Sequence, residues 1–234
     1  MSRLAHTETH KLHKASWLRA AVLGANDGLI SISGLVVGMA SAGTELRTLL
    51  LTAAAGLTAG AFSMAAGEYV SVSSQADVEK ADRALEEREL AEKPEWEQQE
   101  LEAIYRQRGL SPELAAQVAH ELTAHNALDA HLRDELGITA HSEARPLQAA
   151  FASATAFVVG ALPPIALVML WHGPGLTTLL VGATLVLLAA LGAVAARLGG
   201  APMVPGALRV LLWGALAMGA SAAIGKLFGA GPVG

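Results

Sequence analysis

The chain contains no cysteine. That excludes disulfide frameworks, thiolate metal sites, iron–sulfur clusters and cysteine nucleophiles, so any metal must be held by oxygen, imidazole or thioether. Charge is scarce: only 16% of residues are Asp, Glu, Lys or Arg, against about a quarter in a soluble chain. Acidic residues are missing altogether after Glu143, and no charged residue of either sign stands between Arg145 and Arg197. With a formal net charge of -5 and no basic stripe, there is no electrostatic footprint for nucleic acid. The N-terminal stretch lacks a short apolar core ending in a small-residue cleavage site, so it reads as a retained cytosolic segment and not a secretory signal.

What is present is segregated. Hydrophobic residues make up 53% of the 234, while 17 of the 21 acidic residues fall between Asp77 and Glu143. Crossing about 30 Å of hydrocarbon takes roughly 20 apolar residues in a helix. Five segments are long enough: 18–40, 48–72, 147–171, 176–196 and 207–228, the last with Arg209 snorkelling towards the headgroups. WHGPG at 171–175 and GGAPMVPG at 199–206 supply turn residues between antiparallel helices. The expected fold is an all-α integral membrane protein of five transmembrane helices with a polar insert between the second and third. Its divisions are a cytosolic segment 1–17, spans 18–72, an acidic insert 73–146 and spans 147–234.

Orientation follows from Lys and Arg in the short flanking segments. Arg3, Lys11, Lys14, Arg19, Arg197 and Arg209 lie on one side, against Arg47 and Lys226 on the other. The N-terminus and the insert are therefore expected in the cytosol and the C-terminal tail outside it. The first two spans carry small residues at helical spacing, Gly24 and Gly28, Gly34 and Gly38, Gly56 and Gly60, then Ser63 and Gly67. Such stripes let helices approach closely in lipid, within a protomer or across a dimer.

Two acids, Asp27 and Glu68, fall inside predicted spans, and no Lys or Arg is available at matching depth to neutralise them. Ionisable groups at membrane depth line ion paths or pair with a partner. Asp27 lies about nine residues, roughly 13 Å, from the cytosolic end of its span. Met64 is at a similar depth in the second span, with Glu68 one helical turn nearer the cytosol on the same face. A carboxylate with a thioether suits a borderline divalent metal such as Fe²⁺ better than Mg²⁺ or Ca²⁺.

The insert reads as three amphipathic helices: 74–92, a second from Pro94 to Gly109, and a third capped by Ser111 with Pro112 at its first position and ended by Gly137. Glu86 and Glu89 on the first and Glu97 and Glu100 on the second form carboxylate pairs three apart that could clamp divalent cations. Interleaved Lys80, Arg83, Arg88 and Lys93 make part of the acidic count ordinary surface. The third helix offers His131 and Glu135 one turn apart, His120 on a similar face, and the pair His125 and Asp129. His120, Glu121 and His125 miss the zincin HExxH spacing by one residue, and no histidine has a Glu three residues before it, so protease and di-iron motifs are absent. His6, His10 and His13 share a face that reads as an interfacial helix. No motif calls for an organic cofactor.

NDGLISISGLVVG at 26–38 and AGAFSMAAGEYVSVSSQ at 59–75 closely resemble the vacuolar iron transporter family, as does the layout of two spans, a Glu-rich insert and three spans. ELG at 135–137 is similar to the end of that family's third insert helix. The resemblance implies a homodimer with a pathway at the two-fold axis, lined by the first two spans, exchanging cytosolic Fe²⁺ for protons. It implies Asp27 and Met64 as transport-site ligands and Glu68 near the cytosolic entrance. Glu86, Glu89, Glu97, Glu100 and Glu135 would belong to a cytosolic metal-binding domain. Eukaryotic members have a Met and a further Glu where this chain has His131 and Leu132. The short insert and its histidine-rich third helix are more like bacterial members, which implies efflux across the inner membrane.

The reading that combines these features is a dimeric, proton-coupled exporter of Fe²⁺, with Mn²⁺ and Co²⁺ as further candidate substrates and Zn²⁺ as a further bound ion. Its partners are a second copy, the bilayer, divalent metal ions and protons, with no nucleic acid. The rival is a membrane-anchored metal-binding or sensing protein whose insert does the work. A channel would pass metal without moving protons.

Overall fold

A computed structural model of the chain describes residues 12–138, 144–171 and 173–229. His6, His10 and the C-terminal tail, with the side chains of His13, Lys14 and Arg19, lie outside the described residues. Among the described residues the structure is all helix: α1 (Leu12–Ser41), α2 (Leu46–Glu92), α3 (Pro94–Gln107), α4 (Pro112–Asp134), α5 (Pro146–Leu170), α6 (Leu176–Gly199) and α7 (Met203–Gly229). Five of these, α1, α2, α5, α6 and α7, are long and apolar enough to cross a membrane. The chain divides into two compact units, Val70–Pro146 and the flanking Met1–Tyr69 with Leu147–Gly234.

In the flanking unit, α1 is the hub. Ile32, Val36 and Val37 are fully buried and share a core with Leu49 and Ala53 of α2, Phe157 and Val168 of α5, Leu180 of α6 and Met218 of α7. Ser33 of α1 and Thr184 of α6, both buried, share a hydrogen bond at 2.8 Å, so each hydroxyl satisfies the other where water is absent. Large side chains on the outer faces, such as Phe62, Leu170, Trp213, Leu227 and Phe228, are exposed, as expected of surfaces that meet lipid.

Most glycines of the stripes in the first two spans find their partners within one chain. A Cβ on Gly28 would collide with the backbone carbonyl of Phe157, and one on Gly160 with the backbone carbonyl of Ala25, so α1 and α5 interlock by mutual close approach. Gly34 and Gly38 meet Ser221 of α7, Gly56 meets Leu35 and Ile32 of α1, and Gly60 meets the Phe157 ring. Gly67 has nothing within 4 Å. In hydrocarbon, helices associate through this kind of van der Waals fit, because lipid tails are as apolar as the side chains.

Two helices differ from the sequence expectation. The second span and the first insert helix are one unbroken helix of 47 residues. At 1.5 Å per residue α2 is about 70 Å long, more than twice the hydrocarbon thickness, so its polar second half lies beyond the span. Nothing between Val70 and Asp77 stops it, since SVSSQA at 71–76 has polar side chains but neither Gly nor Pro. The third insert helix, conversely, is interrupted: Asn126 has an extended backbone (φ -164, ψ 92). Its side-chain Oδ1 accepts the Asp129 backbone N–H at 3.1 Å, which caps a second, short helical stretch.

The α1–α5 interlock yields a direct test. Gly28→Ala lowers the melting temperature of the detergent-solubilised protein, whereas Gly219→Ala, on an exposed face of α7 with nothing within 4 Å, leaves it unchanged or raises it, since alanine favours a helix over glycine. Equal melting temperatures for the two variants would contradict the interlock.

Candidate metal centre

The acids predicted inside the spans sit in the flanking unit, each half-buried. Asp27 lies between Gly24 and Gly28 on α1, and its Oδ1 accepts a hydrogen bond from the Ser31 hydroxyl one turn on, at 2.8 Å. The neighbouring Asn26 has its side-chain Oδ1 enclosed without a partner. On α2, Met64 packs against the buried core and Glu68 stands one turn further along. Among the described residues, neither Asp27 nor Glu68 belongs to a cluster of three or more His, Asp and Glu side chains.

One such cluster does exist among the described residues, in the insert unit. Glu86 of α2, Glu97 of α3 and His131 of α4 bring one donor atom each within 4.8 Å of one another. All three are buried, with exposures of 3%, 6% and 0%. His131 Nδ1 stands 3.1 Å from Glu86 Oε1, 3.2 Å from Glu135 Oε2 and 3.9 Å from Glu97 Oε2. Glu135 is more open, with its side chain 28% exposed. Glu89 is half-buried and Glu100 exposed; they act on the centre through repulsion of Glu86 and Glu97.

Three local features assemble it. Pro94 at the first turn of α3 and the Ser111 cap of α4, whose hydroxyl accepts the Leu114 N–H at 3.3 Å, set where those helices begin. Leu101, Ala119 and Ala130 form a small buried core, flanked by Tyr105 and Leu122, that packs α3 on α4. At the far end Asp134 accepts hydrogen bonds from Tyr105 Oη at 2.6 Å, Arg108 Nη1 at 2.6 Å and Arg133 Nη2 at 2.7 Å. Arg108 also donates to the Asp134 carbonyl at 2.8 Å, tying α3 to the turn that carries His131 and Glu135. These donors hold the Asp134 carboxyl well below the usual carboxylate range despite its desolvation.

Sequence reasoning missed this clamp and the Asn126 break. The break had a signal, an Asn followed three residues later by Asp, which resembles a helix start. It also overturns the shared face expected for His120 and His131. His120, His125 and Asp129 are exposed, and both histidines lie before the interruption.

The electrostatics run against the bare cluster. Burial, then the Glu135, Glu97 and Glu89 charges, push the Glu86 carboxyl up from 4.5 to about 7, with His131 opposing. Glu97 is raised mainly by burial and by Glu100. Glu86 Oε1 is enclosed and, although close to Nδ1, makes no directional hydrogen bond. A single Nδ1 proton cannot serve three carboxylates, whereas a divalent cation among them would satisfy all of them at once.

An all-helical, multi-span membrane protein with a buried carboxylate–imidazole cluster in a separate polar unit defines the class. The VIT family model matches residues 18–226, and the chain belongs to that family. A vacuolar iron transporter of Acanthamoeba castellanii is 44% identical over 226 residues, covering 94% of this chain and 82% of that protein. Vacuolar iron transporter homolog 2 of Oryza sativa subsp. japonica is 36% identical over 218 residues, 92% of each chain. The VIT-like transporter 1b of Glycine max is 34% identical, covering 96% of this chain and 82% of that protein. These relatives come from an amoeba and from plants, and the names of the first two are vacuolar.

The raised Glu86 has a defined sign. A carboxyl that holds its proton more tightly when folded stabilises the fold most below its ordinary value of 4.5, and that stabilisation is lost as pH rises through about 7. Metal-free protein is therefore expected to lose thermal stability between about pH 5 and pH 7.5, and Glu86→Gln flattens most of that decline. Added Co²⁺ stabilises more at the upper pH, because the cation competes with the proton. An unchanged pH profile in Glu86→Gln would contradict the assignment.

Proposed function

We propose that the protein is a homodimeric, proton-coupled antiporter that moves Fe²⁺, and to a lesser degree Mn²⁺ or Co²⁺, out of the cytosol. The insert unit faces the cytosol, as the Lys and Arg asymmetry favours, and its Glu86, Glu97, His131 and Glu135 capture metal, with Glu89 and Glu100 raising the local negative potential. Glu68 takes up the ion, and Asp27 with Met64 binds it within the spans. Protonation of Asp27 or Glu68 from the opposite side weakens coordination and releases the metal, since carboxylates bind metal only when deprotonated.

The observation that carries this reading is the pair of acids on membrane helices, Asp27 and Glu68, for which the described residues contain no ion-pair partner, in a chain of the VIT family. The names of two relatives, vacuolar iron transporter, support iron as the cargo. Placement in a bacterial inner membrane rests on the short insert and its histidine-rich third helix; the vacuolar names favour an organellar membrane with the same direction of export. The rival, a membrane-anchored metal-binding protein, draws its support from the same buried cluster, which would bind metal with or without transport.

Reconstituted protein separates the two. Asp27→Asn is expected to reduce Fe²⁺ flux by about a hundredfold while metal binding at the insert persists, and Glu86→Gln to weaken that binding by about tenfold or more. Full flux in Asp27→Asn would overturn the antiporter mechanism.

A further inference from the structure

Two serines on α1, Ser31 and Ser33, are used in different ways. Ser33 is fully buried and shares its hydrogen bond with Thr184 of α6, a contact between helices whose loss would leave a hydroxyl unpaired in the core. Ser31 makes no such contact among the described residues; its hydroxyl donates to Asp27 Oδ1 at 2.8 Å, one turn back on the same helix. Building on the transport role proposed above for Asp27, we infer that Ser31 is a positioning residue for the transport site. Its hydroxyl holds the Asp27 carboxylate in the orientation that binds the metal ion, and so sets the affinity of that site.

A serine inside a helix commonly returns its hydroxyl to the backbone carbonyl one turn back. Ser31 reaches the Asp27 side chain instead, so the bond restrains a carboxylate that would otherwise rotate. The backbone beneath that carboxylate is already held. A Cβ on Gly24 would stand 2.9 Å from the Ser153 carbonyl oxygen, and one on Gly28 would collide with the Phe157 carbonyl, so α1 lies against α5 on either side of Asp27. What remains free is rotation about the two side-chain bonds of Asp27, and that is the freedom Ser31 removes. Among the described residues no Lys, Arg or His pairs with Asp27 to take over the task. The bond occupies Oδ1 alone; Oδ2 accepts no hydrogen bond among the described residues, which leaves it for an ion. Carboxylates that ligate metals are themselves held by hydrogen bonds, and removing such a partner costs about 10–100-fold in metal affinity. Ser31 thus acts on the ion through Asp27, whereas Ser33 serves the packing of α1 on α6.

Full-length protein is reconstituted in liposomes, and Fe²⁺ uptake under reducing conditions is followed against Fe²⁺ concentration for wild type, Ser31→Ala, Ser31→Val, Ser31→Thr and Ser33→Ala. Melting temperatures are measured in detergent alongside. Ser31→Ala and Ser31→Val are expected to raise the KM for Fe²⁺ by about tenfold or more while the maximal rate is kept, the pattern of a lost contribution to ion binding. Ser31→Thr, which keeps the hydroxyl and matches valine in shape, restores the wild-type KM. Ser33→Ala shows the reverse, a lower melting temperature with KM unchanged. A wild-type KM in folded Ser31→Ala, or a Ser31→Thr no better than Ser31→Val, overturns the inference and leaves the reading of Asp27 intact, as long as Asp27→Asn loses flux. A KM raised equally in Ser33→Ala makes the effect one of packing and overturns the inference too. Full flux in Asp27→Asn overturns the reading of Asp27, and this inference with it.

Discussion

In the flanking unit α1 and α5 meet where two helix backbones nearly touch. Gly28 of α1 faces the carbonyl of Phe157, and Gly160 of α5 faces the carbonyl of Ala25, so each helix lacks a side chain where the other's backbone approaches. In water, apolar burial could tolerate a slightly larger spacing; in lipid it supplies no drive towards association, and the fit itself has to hold the helices. Asp27 lies within this stretch of α1, between Ala25 and Gly28. Its backbone is consequently fixed by packing, and its carboxylate is oriented by the Ser31 hydroxyl. An acidic side chain on a membrane-crossing helix is thus carried on a segment packed closely against α5.

The insert unit is organised by the opposite physics. There a small apolar core of Leu101, Ala119 and Ala130, together with the Tyr105–Arg108–Asp134 clamp, forces carboxylates from two helices and an imidazole from a third into a buried space. Burial, and then the neighbouring carboxylates, push the Glu86 and Glu97 carboxyls up. Donors already brought together by burial and packing would be preorganised for a cation. The surroundings of Glu86 differ sharply from the exposed Arg83–Glu87 pair at 3.0 Å on the same helix, which is an ordinary solvated surface contact.

Much of this was legible in the sequence. The five apolar segments follow from length and the absence of charge, and Pro94, Ser111 and Pro112 mark helix starts by chemistry that acts locally. The continuity of α2 was not legible, because the change from apolar to polar at Ser71 alters the solvent a helix faces without altering its backbone. The site was half-legible. Glu86 and Glu89, or Glu97 and Glu100, are equivalent by spacing, and only tertiary packing decides that Glu86 and Glu97 are buried while Glu100 is exposed. His131 stood out by its turn-spaced Glu135, yet its convergence with Glu86, 45 positions away, is a tertiary fact. The reading of the transport ligands in the spans rests on the family motifs, which local periodicity does not encode.

The central claim is coupled exchange, and it is tested by measuring metal and proton movement in the same vesicles. Purified protein would be reconstituted with an internal pH-sensitive dye and an internal Fe²⁺ chelating reporter, and an inside-acid pH gradient imposed in the absence of a metal gradient. The account predicts that Fe²⁺ accumulates inside as protons leave, and that collapsing the gradient with a protonophore stops accumulation. Fe²⁺ entry that ignores the pH gradient, or tight binding with no entry at all, would contradict it.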